Sequence, residues 1–261
     1  MVRREFTLEF QPAMDDGLQG KTALVTGAAR RIGAAIARSL HAAGANLVLH
    51  YRGAEKEAAA LEAELNAARA GSATKVKADL LAPVAPRALV SAALERFGRL
   101  DVLVNNASTF YPTAVGSIEV GHWEELIGSN LRAPLFIAQQ AAPELARQRG
   151  AIVNIADIHA ERPLKGYAVY SIAKAGLVAM TRALALELGP AVRVNAVAPG
   201  AIAWPEEGQF APPERARVVA STPLERLGTP EEIARAVHFL ATAPFVTGQI
   251  LAVDGGRSVF L

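Results

Sequence analysis

The segment Tyr170-Ser171-Ile172-Ala173-Lys174 sets a phenol and an ammonium four residues apart, on one face of the chain if the segment is helical. A free phenol, with a pKa of about 10, is a poor proton donor at neutral pH. An ammonium beside it favours the phenolate and is expected to lower that value, making Tyr170 a usable general acid or base. The same Lys174 can hydrogen-bond a ribose. Thirteen residues before Tyr170 stands Asp157, and two residues beyond that His159. His159 admits two readings, a substrate contact or an exposed loop histidine.

A second cluster lies near the start of the chain. Thr26-Gly27-Ala28-Ala29-Arg30-Arg31-Ile32-Gly33 follows the first apolar run. Glycines at a strand-to-helix turn let the backbone approach a pyrophosphate, and the free N–H groups and positive dipole end of the helix favour the anion. A dinucleotide site expects an acid about twenty residues further on, for the ribose 2′-hydroxyl. That place reads His50-Tyr51-Arg52, with no acid until Glu55. Arg30, Arg31 and Arg52 can instead surround a 2′-phosphate, so the expected cofactor is NADPH.

The elements that must carry these groups alternate. Apolar strands are predicted at 21–26, 46–51, 73–79, 102–105, 151–155, 192–197 and 250–253. Helical patterns fall at 31–43, 55–70, 84–97, 119–148, 168–189 and 230–241. Such alternation means right-handed βαβ units: a doubly wound, Rossmann-type α/β domain with a seven-stranded parallel sheet and helices on both faces. Residues 1–20 read as a loose extension and 21–261 as the domain. Residues 199–228 hold five prolines and show no evident regular structure, which suits a substrate-covering loop.

With 51% hydrophobic and 20% charged residues, the 261-residue chain can build a sizeable core. A net charge of +2 gives no basic tract for nucleic acid. The absence of cysteine excludes disulfides and thiolate chemistry, and the five histidines are too scattered to suggest a metal. No apolar run of membrane-spanning length and no signal peptide stand out, so the expectation is a cytoplasmic protein. Leu177, Val178, Met180, Leu184 and Leu186 place apolar side chains on more than one helix face, which suggests a subunit interface.

Over residues 20–256 the chain resembles the short-chain dehydrogenase/reductase family. The motifs are Thr26-Gly27…Gly33, Asp79, Asn105-Asn106-Ala107, Asn130, Tyr170…Lys174, Pro199-Gly200 and Val253-Asp254-Gly255-Gly256. The resemblance implies that Asp79 and Leu80 contact adenine, and that Asn106, Ala107, Ser108, Pro199, Gly200 and Ile202 line the cofactor. It also implies that Asn130 holds a relay water beside Tyr170, and that the assembly is a homotetramer.

Two departures narrow the resemblance. Arg31 replaces the middle glycine of the fingerprint, and Asp157 replaces the serine that stabilises a substrate carbonyl. An ionised carboxylate would repel a developing alkoxide, but suits a cationic or amidine-like nitrogen heterocycle. Both departures are similar to the pattern of pteridine reductases, as are His50-Tyr51-Arg52, the loop Asn105–Pro112 and the stretch Asp157–Lys174. That resemblance implies a pterin stacked between Phe110 and the nicotinamide, with Ser108 and Arg31 at its edge. Trp204, Glu206, Glu207 and Phe210 would meet its side chain. The expected reaction is NADPH-dependent reduction of a ring C=N in a dihydropterin, a pterin or dihydrofolate, with Tyr170, Lys174 and Asp157 supplying protons. Two readings compete: a 3-oxoacyl-thioester reductase, and a silent NADP-binding sensor.

Overall fold

The computed structural model describes residues 17–204 and 211–260. The expectations for residues 1–16 and for Glu206, Glu207 and Phe210 lie outside the described residues.

β1 (Thr22–Val25) leads through the glycine turn to α1 (Arg31–Ala42), then β2 (Asn46–Tyr51), α2 (Glu55–Ala68), β3 (Ala73–Lys77), α3 (Ala85–Phe97) and β4 (Val102–Asn105). Next come α4 (Val120–Ile127) and α5 (Ala133–Gln148), joined by a π-turn at Gly128–Arg132, and β5 (Ala151–Ile155). The chain closes with α6 (Ala168–Leu188), β6 (Arg193–Pro199), α7 (Pro212–Ala220), α8 (Pro230–Thr242), β7 (Ile250–Val253) and a short α9 (Arg257–Phe260).

All seven strands pair in parallel, in the order β3-β2-β1-β4-β5-β6-β7. The direction of winding reverses between β1 and β4, which opens a crevice at their carboxyl ends. Period-two alternation splits each strand between two cores. Ala23, Val25, Leu47 and Leu49 pack with α1, α2 and α8, whereas Leu24, Val48, Leu103 and Ile152 pack with α3 and α5. Burial on both faces is why β1 and β2 read as continuous apolar runs.

Five expectations need correction. Residues 199–228 are not without regular structure: they contain α7, because Pro212 and Pro213 occupy the first turn, where a missing N–H costs nothing. The long helix expected at 119–148 widens at Gly128–Arg132, where the Ala133 N–H reaches back five residues to Gly128 O. Leu18, assigned to a loose extension, is 1% exposed, and its N–H bonds Ala43 O. Finally, α6 is by length and composition apolar enough to cross a membrane, where no such run was expected. More than half of it is buried against the protein. Leu177, Val178 and Met180, expected at a subunit interface, belong to that internal core, while Ile172 and Leu186 are exposed.

Candidate active site

The crevice forms a cavity of about 940 Å³ running from the end of β2 to the start of α6. Among the described residues, every site residue expected from the sequence except Asn130 lies on its wall. Asn130 stands behind it, 1% exposed, in the π-turn.

At the phosphate turn Gly27 has φ +61°, and a Cβ there would meet Ala107 Cα at 3.0 Å. A Cβ on Gly33 would lie 2.1 Å from Gly27 O, so α1 closes onto the turn only without one. Arg31, in the place of the fingerprint's middle glycine, keeps the left-handed backbone, with φ 51°. A non-glycine residue there carries a cost of about 1 kcal/mol. Its Nη2 donates to Ala203 O (3.1 Å) and Ile202 O (3.5 Å), tying the turn to the segment after β6. The Asn106 amide donates to Thr26 O (2.9 Å) and Gly27 O (3.0 Å), and Thr26 Oγ1 accepts from the Asn106 and Ala107 N–H groups. Asn106 therefore braces the turn with its side chain.

At the nucleoside end Arg52 is exposed on the cavity rim, and Arg30 lies 3.9 Å from Glu57. Asp79 and Leu80 follow β3, and Asp79 Oδ1 accepts the Leu81 N–H at 3.0 Å. His50 is buried, with both ring nitrogens bonded to backbone. Tyr51, beside it, is buried as well.

At the other end Asp157 leaves β5 and caps a 3-10 turn, Oδ1 accepting the His159 N–H at 2.8 Å. Its Oδ2 accepts the Tyr170 hydroxyl at 2.7 Å. Lys174, the next turn of α6, donates from Nζ to Ile155 O at 2.8 Å, with Nζ 5.7 Å from the Tyr170 ring centroid. Burial, then the Asp157 charge and hydrogen bond, hold the Tyr170 phenol well above its usual value; a bond from Ser108 opposes them. This overturns the expectation that Lys174 depresses the phenol, since the carboxylate is the charge in direct contact. Lys174 itself is lowered to about 8, by burial and against the Asp157 charge. Tyr170 is thus kept as a protonated donor.

Ser108 donates to Asn130 Oδ1 at 2.7 Å, and Asn130 Nδ2 donates to Thr109 O and Leu126 O, each at 3.0 Å. The amide is consumed in fixing the loop after β4 against the π-turn. Phe110, on that loop, stacks on Tyr167 (4.6 Å, 13°) and meets Tyr170 edge-on (4.8 Å, 76°). His159 reaches the cavity, with Nδ1 bonded to Arg162 O at 2.8 Å.

Sequence reasoning missed Glu214, Arg217 and Val218 of α7, Ser221 just after it, and Arg257 of α9, on the same wall. Arg257 Nη1 donates to Val218 O at 3.1 Å. Arg257 follows the Val253–Gly256 motif directly, which was the available signal. The signal for α7 was the Pro212-Pro213 helix start.

Comparison with known proteins agrees with this geometry. A family model described as enoyl-(acyl carrier protein) reductase matches residues 27–258. Pteridine reductase 1 of Leishmania tarentolae is 40% identical, covering 91% of this chain and 96% of its own. A 3-oxoacyl-[acyl-carrier-protein] reductase of Synechocystis is 37% identical, covering 93% and 99%. A blue fluorescent protein from a metagenomic library, solved in complex with NADPH, superposes with a TM-score of 0.86 at 38% identity, covering 92% and 99%. By its parallel sheet, its glycine turn, its Tyr170–Lys174 helix and these relatives, the chain belongs to the short-chain dehydrogenase/reductase family of oxidoreductases.

Proposed function

We propose that the protein is an NADPH-dependent pteridine reductase that reduces a ring C=N of a dihydropterin, and of pterins or dihydrofolate with the same ring. The observation that carries this reading is Asp157, whose carboxylate stands where a ketone-reducing site needs a neutral hydroxyl and bonds Tyr170 at 2.7 Å.

The cavity residues fit NADPH. Two cations, Arg30 and Arg52, line the end that would meet a 2′-phosphate, while the Arg31 guanidinium turns instead to Ile202 O and Ala203 O; the acid expected of an NADH site is absent from the end of β2. Bound NADPH would supply the hydride. Tyr170, held protonated by burial and by Asp157, gives its proton to the ring nitrogen next to the carbon reduced. Lys174, buried and anchored to Ile155 O, fixes the proton-donating face of α6 and carries the positive charge that offsets the phenolate left behind. Asp157 accepts hydrogen bonds only, so it pairs with N–H groups of an aminopyrimidine and turns away a developing alkoxide. Phe110 offers an aromatic surface beside Tyr170 for a flat ring.

The relatives' names support two substrate classes, pterins and 3-oxoacyl thioesters. The test is NADPH consumption with a panel of dihydropterins, pterins, dihydrofolate and a 3-oxoacyl thioester. Turnover of the dihydropterins is expected; turnover of the thioester alone refutes the reading. Exposed Leu135 and Phe136 of α5 and Ile172 and Leu186 of α6 support a homotetramer, and we place the enzyme in the cytoplasm.

A further inference from the structure

The residue that replaces the usual chemistry at the end of β2 has a second use. His50 holds the phosphate turn at two successive amides. The Gly27 N–H donates to its Nδ1 at 3.1 Å, and the Ala28 N–H donates to its carbonyl oxygen at 2.9 Å. On the far side of the ring, Nε2 bonds Ala78 O at 3.1 Å, one residue before Asp79. The ring is 2% exposed, so water does not substitute for either partner. A carbonyl can only accept and an amide N–H can only donate, so these partners fix one tautomer, with Nε2 protonated and Nδ1 bare.

One imidazole thereby couples three things: the left-handed Gly27, the edge of β2, and the strand end that carries Asp79. We infer that His50 is a positioning residue for the dinucleotide, setting the phosphate turn through a single neutral tautomer while leaving the phosphate contacts to the turn itself. The Gly27 N–H spent on His50 is withdrawn from the anion, and the remaining amides at the start of α1 are held in place for it. This differs from the direct cofactor contact that the position of His50 first suggests.

The inference rests on NADPH being the cofactor, and the test separates the two. Fluorescence titration of the unaltered protein with NADPH comes first: no binding refutes the cofactor assignment. With binding established, His50→Leu keeps the bulk and removes both ring bonds, while His50→Asn retains an acceptor in the place of Nδ1. His50→Leu is expected to weaken NADPH binding roughly tenfold, the scale of one buried hydrogen bond, and His50→Asn to recover most of that loss. The loss should be equal for NADPH and NADH, since the turn serves the pyrophosphate common to both. Parent-like binding by His50→Leu overturns the inference, and so does a His50→Asn variant no better than leucine. A loss confined to NADPH would place His50 at the extra phosphate and overturn it too. Should the leucine variant not fold, ¹⁵N NMR of the unaltered protein decides: a bare Nδ1 and protonated Nε2 are expected, and the opposite tautomer or an imidazolium at neutral pH refutes the claim.

Discussion

The Tyr170 hydroxyl donates to Asp157 Oδ2 across 2.7 Å, joining the first turn of α6 to the end of β5 and holding the phenol in its protonated form. Tyr170→Phe removes that hydroxyl. Turnover should fall by about 10²–10⁴, the range for loss of a positioned acid, while NADPH affinity by fluorescence titration stays close to the parent's. Near-full activity would take Tyr170 out of the chemistry.

Asp157→Ser restores the hydroxyl typical of ketone reducers. Dihydropterin turnover is expected to drop roughly a hundredfold, with weak ketone reduction gained. Steady-state assays on both substrate types check this. Unchanged pterin kinetics would detach Asp157 from substrate recognition.

The activity of the free enzyme should decline on an alkaline limb with a midpoint near 8, where Lys174 loses its charge. Asp157 props that value up, so in Asp157→Asn the limb should move to lower pH. Stability runs the other way. The folded value of Lys174 lies below the unfolded value of 10.5, so between about 8 and 10.5 the unfolded chain binds more protons and this contribution to stability rises with pH. Below 8 that gain is absent. A pH–kcat/KM profile alongside denaturant unfolding at pH 7 and 9.5 would show the opposed trends.

Arg31 occupies a backbone conformation that glycine adopts freely. In Arg31→Gly the relief of about 1 kcal/mol of backbone cost offsets the lost bonds to Ile202 and Ala203. Thermal stability should therefore hold, while NADPH binding weakens roughly tenfold through loss of a charge-assisted contact. Intact affinity would confine Arg31 to bracing the 202–203 segment.

The sheet was legible because its central strands are buried on both faces, so β1 and β2 carry apolar runs that no exposed element could keep. The glycine turn was legible for a local reason, the φ and close packing at Gly27 and Gly33. What sequence order hides is contact between distant elements. The direction of the Tyr170 shift is decided by burial and then by Asp157, which reaches it across a turn, and not by Lys174 on the same helix face. The π-turn depends on where the Asn130 amide finds its acceptors, Thr109 O and Leu126 O. Arg257 meets α7 through Val218 O, a pairing 39 residues apart with no periodic trace.

Lys174 is 1% exposed, and among the described residues no carboxylate lies within ion-pair distance of its Nζ. A single carbonyl bond holds an ammonium that the surrounding core would reject. The enzyme therefore works with a fault in its interior, and fitness for catalysis here is opposed to fitness for folding. Lys174→Met, which keeps the length and drops the charge, should melt above the parent in calorimetry while reducing nothing. Selection for heat resistance alone would erase this residue first.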